Sequence, residues 1–218
     1  MNFRLVKEPV FSALNAGIVW FALISELYLT LSDSAHSWRG VLHGISEYFS
    51  YFTILTNILC ASIFTAYATK ASANPFVRLL KSPALLTVAE ICILGVSVIY
   101  HVMLRNLWSP TGLEAFSDSV LHYVTPLCFS LLYLKIYSNC LLDWKSLSAM
   151  MIYPSAYSVF ILARGAVTSE YPYPFIDVNK IGYIQASLFL VSMLILFAIT
   201  ASGLIASNRL YQKLKLGK

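Results

Sequence analysis

The sequence predicts an all-α polytopic membrane protein, a bundle of six transmembrane helices forming a single domain over residues 1–218, with both termini cytoplasmic. Three observations carry that prediction. Hydrophobic residues make up 58% of the chain and charged residues 11%, and the mean hydropathy of +0.71 lies outside the range of a soluble globular domain. Six apolar runs approach the roughly 20 residues a helix needs to cross the hydrocarbon core. Lysine and arginine gather in alternate connections, as they do in cytoplasmic loops.

The six runs cover approximately 9–31, 47–69, 84–104, 117–137, 147–165 and 181–206. The first is longer than the apolar stretch of a signal peptide and is read as a retained helix. The runs read as continuous helices, with no linker, low-complexity tract or repeat between them. Arg4, Lys7, Lys70, Arg78, Lys81, Lys135, Lys145, Arg209, Lys213, Lys215 and Lys218 fall on one side, and Arg39, Arg105, Arg164 and Lys180 on the other. The eleven-to-four split puts both termini inside. Basic residues dispersed in this way form no groove-sized cluster, so the net charge of +5 implies no nucleic-acid partner. The expected location is the bacterial inner (plasma) membrane, with membrane lipids as neighbours. Cys60, Cys92, Cys128 and Cys140 form no CxxC pair and read as core residues, and neither a metal nor a cofactor is implied.

Polar residues recur at helical spacing inside these runs. Thr53, Thr56, Asn57 and Cys60 share a face of the second span, and Asp118, His122 and Thr125 share one of the fourth. The third span carries Glu90, Ser97, His101 and Arg105, and the fifth Tyr153, Tyr157 and Arg164. Entering from Glu47, Thr53 is expected roughly 9 Å below the outer face, and His122 roughly 8 Å below it, counting from Ser117 at 1.5 Å per residue. Asp118, one turn from His122, is placed to hold the ring in one tautomer. Threonines in membrane helices also serve simply as helix contacts, whereas an ionisable histidine at membrane depth points to a cavity or pathway. Arg105 and Arg164 either snorkel to outer phosphates or anchor an anionic ligand. Glu90, near mid-bilayer, is expected to be protonated or paired, and Glu26 and Asn15 are weaker candidates of the same kind. After the fifth span, Pro172 and Pro174 predict a rigid extended loop, either an aromatic anchor or a lid.

EYFSYFTILTN, DSVLHYVTP, YPSAY and RGAVTSEYPYPFID with a following GY resemble bacterial six-span membrane proteins of unknown function. Those in turn resemble, more distantly, the androgen-induced and androgen-dependent TFPI-regulating proteins of animals. The resemblance covers most of the chain, and YPYPF is its most specific element. It implies a membrane-embedded threonine hydrolase that cleaves fatty acid esters of hydroxy fatty acids. Its nucleophile matches Thr53, within Tyr51-Phe52-Thr53, and its histidine matches His122, about one turn before Pro126. Relative to the animal proteins, the histidine-to-proline spacing is one residue shorter and Asn57 replaces a more apolar residue.

The chemistry agrees with that transfer. A threonine hydroxyl needs a neighbouring base, and a neutral imidazole is the usual one. The expected roles are therefore Thr53 as nucleophile, His122 as base, Asp118 and Asn57 as orienting or oxyanion-stabilising groups, and Arg105, Arg164, His101, Tyr157 and Tyr173 around a lipid-ester or fatty-acid ligand. The competing expectation is a carrier or small-molecule binding protein using the same polar interior. A third is a bundle whose polar stripes only pack helices. The substrate and the oligomeric state stay open.

Overall fold

A computed structural model of the chain describes residues 8–35, 40–69 and 74–216. Arg4, Lys7, Arg39, Lys70 and Lys218, counted above for orientation, lie outside the described residues. Those residues contain helices and no strand: α1 (Glu8–Ala35), α2 (Gly40–Tyr48), α3 (Phe52–Ala68), α4 (Pro75–Leu80), α5 (Pro83–Ile99), α6 (Gly112–Ser119), α7 (Thr125–Tyr137), α8 (Ser146–Thr168) and α9 (Val178–Leu216). Two π-helical segments, Tyr100–Leu104 and Val120–Val124, continue α5 and join α6 to α7. Five helical stretches are long and apolar enough to cross a membrane, and a sixth is reached when α2 and α3 count as one bent span. The protein is thus an all-α polytopic integral membrane protein.

The chain divides into two units, one ending at Asn139 and the other beginning at Cys140. In the first, α1 packs on α2, α3 and α6, α3 on α5, and α5 on α7. Phe64 of α3 sits at the centre, with its ring edge-on to Phe129 of α7 at 5.5 Å and to Phe11 of α1 at 6.4 Å. Lipid offers no less apolar surroundings than this interior, so close packing and interhelical hydrogen bonds, more than water exclusion, hold such helices together. Gly44 supplies one close approach: a Cβ there would collide with the Ser34 side chain of α1. Beside it, the buried Tyr48 hydroxyl donates to the Leu23 carbonyl at 2.8 Å. Ser82 and Asn74 cap α5 and α4, each followed by a proline at the first helical position, where its missing amide hydrogen costs nothing.

In the second unit, α8 packs against α9. The connection between them opens at Ser169, in the left-handed region at φ 58°, and runs through a 3₁₀ turn at Pro174–Ile176. It is held in several ways. The Tyr171 ring lies so close to Gly165 that no Cβ fits there. Tyr173 stacks on Phe175, which stacks on Phe189 of α9 at 4.4 Å. Within α9, Gly182 (φ 78°, ψ 162°) breaks the helical path. At the other end, the Asn208 side chain accepts from the Leu142 amide at 2.8 Å and donates to the Cys140 carbonyl at 3.0 Å.

Two expectations change. The second span is not continuous: α2 and α3 are bent by 69° across a break. Ser50 supplies the local cause, because its hydroxyl and its amide both donate to the Glu47 carbonyl, at 2.6 and 2.9 Å, a local pairing that competes with helix propagation. The depth count from Glu47 therefore does not apply, and Thr53 instead stands in the first turn of α3. The described cysteines form no disulfide, and burial pushes the Cys140 thiol above its ordinary pKa.

Candidate functional site

The break before α3 and the π segment before α7 together build the site. Thr53, the second residue of α3, is buried at 9% exposure. Its hydroxyl lies 3.5 Å from His122 Nε2, at the outer limit of hydrogen-bond reach. The other ring nitrogen, Nδ1, faces the Asp118 backbone carbonyl at 3.0 Å and the Asp118 carboxylate Oδ1 at 3.2 Å. Both of those partners accept hydrogen bonds, so they hold the proton on Nδ1 and leave the Nε2 lone pair toward Thr53. Thr53, His122 and Asp118 thus form a hydroxyl, imidazole and carboxylate relay.

Proline explains the role of Asn57. In the π register the Thr125 amide bonds the Val120 carbonyl, and the next bond would run from residue 126 to the Leu121 carbonyl. Pro126 has no amide hydrogen. Asn57 Nδ2 donates to Leu121 O instead at 3.1 Å, and to the Thr53 carbonyl at 2.9 Å. One fully buried side chain therefore ties the backbone at Thr53 to the segment that carries His122. Both Asn57 amide hydrogens face carbonyls, an arrangement suited to holding these two segments together.

A residue absent from the sequence-based candidates completes the arrangement. Tyr100, 4% exposed, donates its hydroxyl to Asp118 Oδ2. Its ring stacks on the His122 ring, with centroids 3.8 Å apart and planes 12° from parallel. The helical stripe singled out its neighbour His101; the π segment beginning at Tyr100 shifts the register there. His101 and Arg105 are exposed and form an outer layer. Arg105 Nη1 faces His101 Nε2 at 3.2 Å, and His101 Nδ1 meets the Tyr123 hydroxyl at 3.1 Å. Tyr123 in turn packs edge-on to Tyr100 at 5.5 Å. Glu26 of α1 lies near enough to Glu114 and Asp118 for their charges to interact.

Elsewhere in the first unit, Glu90 is buried in mid-span, where Ser130 Oγ donates to its Oε1 at 2.7 Å. Arg164, Tyr157 and Tyr173 belong to the second unit. Arg164 donates to the Glu170 carbonyl at 3.0 Å and pairs with its carboxylate at 3.6 Å, clasping the end of α8 to the loop after it. Tyr157 is buried, its ring 6.4 Å from Phe160, and Tyr173 belongs to the aromatic stack described above. Among the described residues no group of three His, Cys, Asp or Glu side chains is placed to hold a metal ion.

Fold and site together define a polytopic helical membrane protein in which a buried Thr53 meets a half-buried His122 and Asp118. No protein-family model, curated protein or solved structure matches the chain.

Proposed function

We propose that this protein is a membrane-embedded hydrolase of fatty-acyl esters, with Thr53 as nucleophile, His122 as general base and Asp118 as the group that orients the base. The observation that carries the proposal is the pair of contacts made by one imidazole, 3.5 Å to the Thr53 hydroxyl and 3.2 Å to the Asp118 carboxylate. The sequence resemblance to membrane threonine hydrolases supports the same two residues. In this reading α2 and α3 form one bent span, giving six in all, with both termini cytoplasmic in a bacterial inner membrane and the site in the outer half.

The reaction follows from the contacts. Thr53 Oγ1 adds to the ester carbonyl carbon as its proton passes to His122 Nε2, and the Asp118 carboxylate stabilises the resulting imidazolium. The ester C–O bond breaks, and His122 returns the proton to the departing alcohol. A water then gives its proton to Nε2 and its oxygen to the acyl carbon; the bond from that carbon to Thr53 Oγ1 breaks and Nε2 returns the proton to Oγ1, which releases the fatty acid and restores the threonine. The positive end of the α3 dipole, at the turn that holds Thr53, favours the oxyanion of each tetrahedral intermediate. Arg105 and His101, in the outer layer, suit a carboxylate or headgroup distal to the ester.

The test is ester hydrolysis by the purified protein in nanodiscs, with Thr53→Ala and His122→Ala each expected to abolish turnover while melting as the parent does. Full activity in either folded variant would end the proposal. The break between α2 and α3 favours a second reading, since carriers place ligand sites at discontinuous helices, and buried Glu90 would then serve as a proton site. Proton-coupled solute uptake into proteoliposomes, abolished by Glu90→Gln and indifferent to Thr53→Ala, would select it.

A further inference from the structure

We infer that Tyr100 is the positioning residue of this site, a clamp that fixes Asp118 and His122 together so that Nε2 faces Thr53. The effect on rate rests on the hydrolase reading; the clamp itself rests on geometry alone. Asp118 is held from both sides, its Oδ1 toward His122 Nδ1 at 3.2 Å and its Oδ2 accepting from the Tyr100 hydroxyl. With both oxygens engaged, the carboxylate cannot turn away from the ring. The same tyrosine lies flat against that ring, so the imidazole cannot tip about its own axis either.

Tyr100 is itself held, edge-on to Tyr123 at 5.5 Å and to Trp108 at 6.0 Å. It opens one π segment while His122 lies inside the other. Each segment contains a bond that spans five residues, Arg105 to Tyr100 and Thr125 to Val120. These local departures from the α register bring the two rings face to face. π bulges in helices are frequent at functional sites. A tyrosine that merely filled space would need neither the hydrogen bond to the carboxylate nor the parallel stack.

Tyr100→Phe and Tyr100→Leu separate the two parts of the clamp. Phe keeps the ring and loses the hydroxyl; Leu loses both. The histidine carbon and proton resonances of protein labelled at histidine, in nanodiscs, report the stack, with His122 assigned from His122→Gln. The His122 ring proton is expected to be shielded in wild type and in Tyr100→Phe, and to move downfield in Tyr100→Leu. The rate of covalent labelling of Thr53 by a fluorophosphonate is expected to fall about tenfold in Tyr100→Phe, the size of one lost charge-assisted hydrogen bond, and further in Tyr100→Leu.

An unchanged His122 resonance in folded Tyr100→Leu, or an unchanged labelling rate in Tyr100→Phe, overturns the clamp. Should Tyr100→Leu fail to fold, the Tyr100→Phe labelling rate decides. A shielded His122 resonance that depends on Tyr100, in a wild-type protein that never labels at Thr53, upholds the clamp and ends the hydrolase reading. Labelling of Thr53 that requires His122 and ignores Tyr100 does the reverse.

Discussion

His122 meets Thr53 at 3.5 Å across 69 residues of sequence, and each of the two stands where regular helix gives way. Thr53 follows the break at Ser50, and His122 lies in a π segment that ends against Pro126. Side chains at such irregularities are aimed by the backbone and by their neighbours, which suits a site whose geometry must be held.

Asp118→Asn should preserve shape and lose function. The amide can offer Nδ1 a donor in place of an acceptor, which favours the wrong ring tautomer. Ester turnover is expected to fall at least a hundredfold with the melting temperature nearly unchanged, measured on the same nanodisc preparation. A fall in stability without a fall in turnover per folded molecule would assign Asp118 to packing.

Asn57→Leu should act through stability. It strips the Leu121 carbonyl, already deprived of a partner by Pro126, of its only described donor. The expected cost is about 1–2 kcal/mol, read from unfolding in a denaturing-detergent titration. In combination with Pro126→Ala, which restores an amide hydrogen near that carbonyl, the cost should shrink.

Gly165→Ala should displace the Tyr171 ring, since a Cβ at that position has no room. Overpacking of this kind costs about 1–3 kcal/mol. Combined with Tyr171→Ala it should cost less than the sum of the two single losses, because removing the ring removes the clash. Additive losses would mean that the ring and the glycine do not meet.

The topology is testable with reporters. Alkaline phosphatase fused after Ser109 should be active, and a fluorescent protein fused after Lys218 should fluoresce in the cytoplasm, if the basic residues set the orientation as the positive-inside rule requires. The opposite pair of results would invert the protein and put the Thr53 site in the inner half of the membrane.

What the sequence made legible follows from which signals are local. Apolar runs and helical spacing located α1, α5, α8 and α9 and put Asp118 and His122 on one face, because burial in lipid writes itself into composition and period. The break at Ser50 was hidden, since a single serine in an apolar run reads as an ordinary helix residue until its hydroxyl is seen to take the Glu47 carbonyl. Tyr100 was hidden for a related reason: a 3.6-residue count selects His101, and only a π register brings the preceding tyrosine onto the histidine. Pro126 was visible, but its consequence, a carbonyl that Asn57 must satisfy, depends on the fold.

The most direct measurement is covalent labelling of the purified wild-type protein with a fluorophosphonate, mapped by mass spectrometry and repeated on His122→Ala and Thr53→Ala. An adduct on Thr53 that disappears in His122→Ala, with both variants melting as the parent does, is the predicted result. No adduct on Thr53 in folded wild-type protein, or one that forms equally well without His122, would contradict the assignment of these two residues as nucleophile and base.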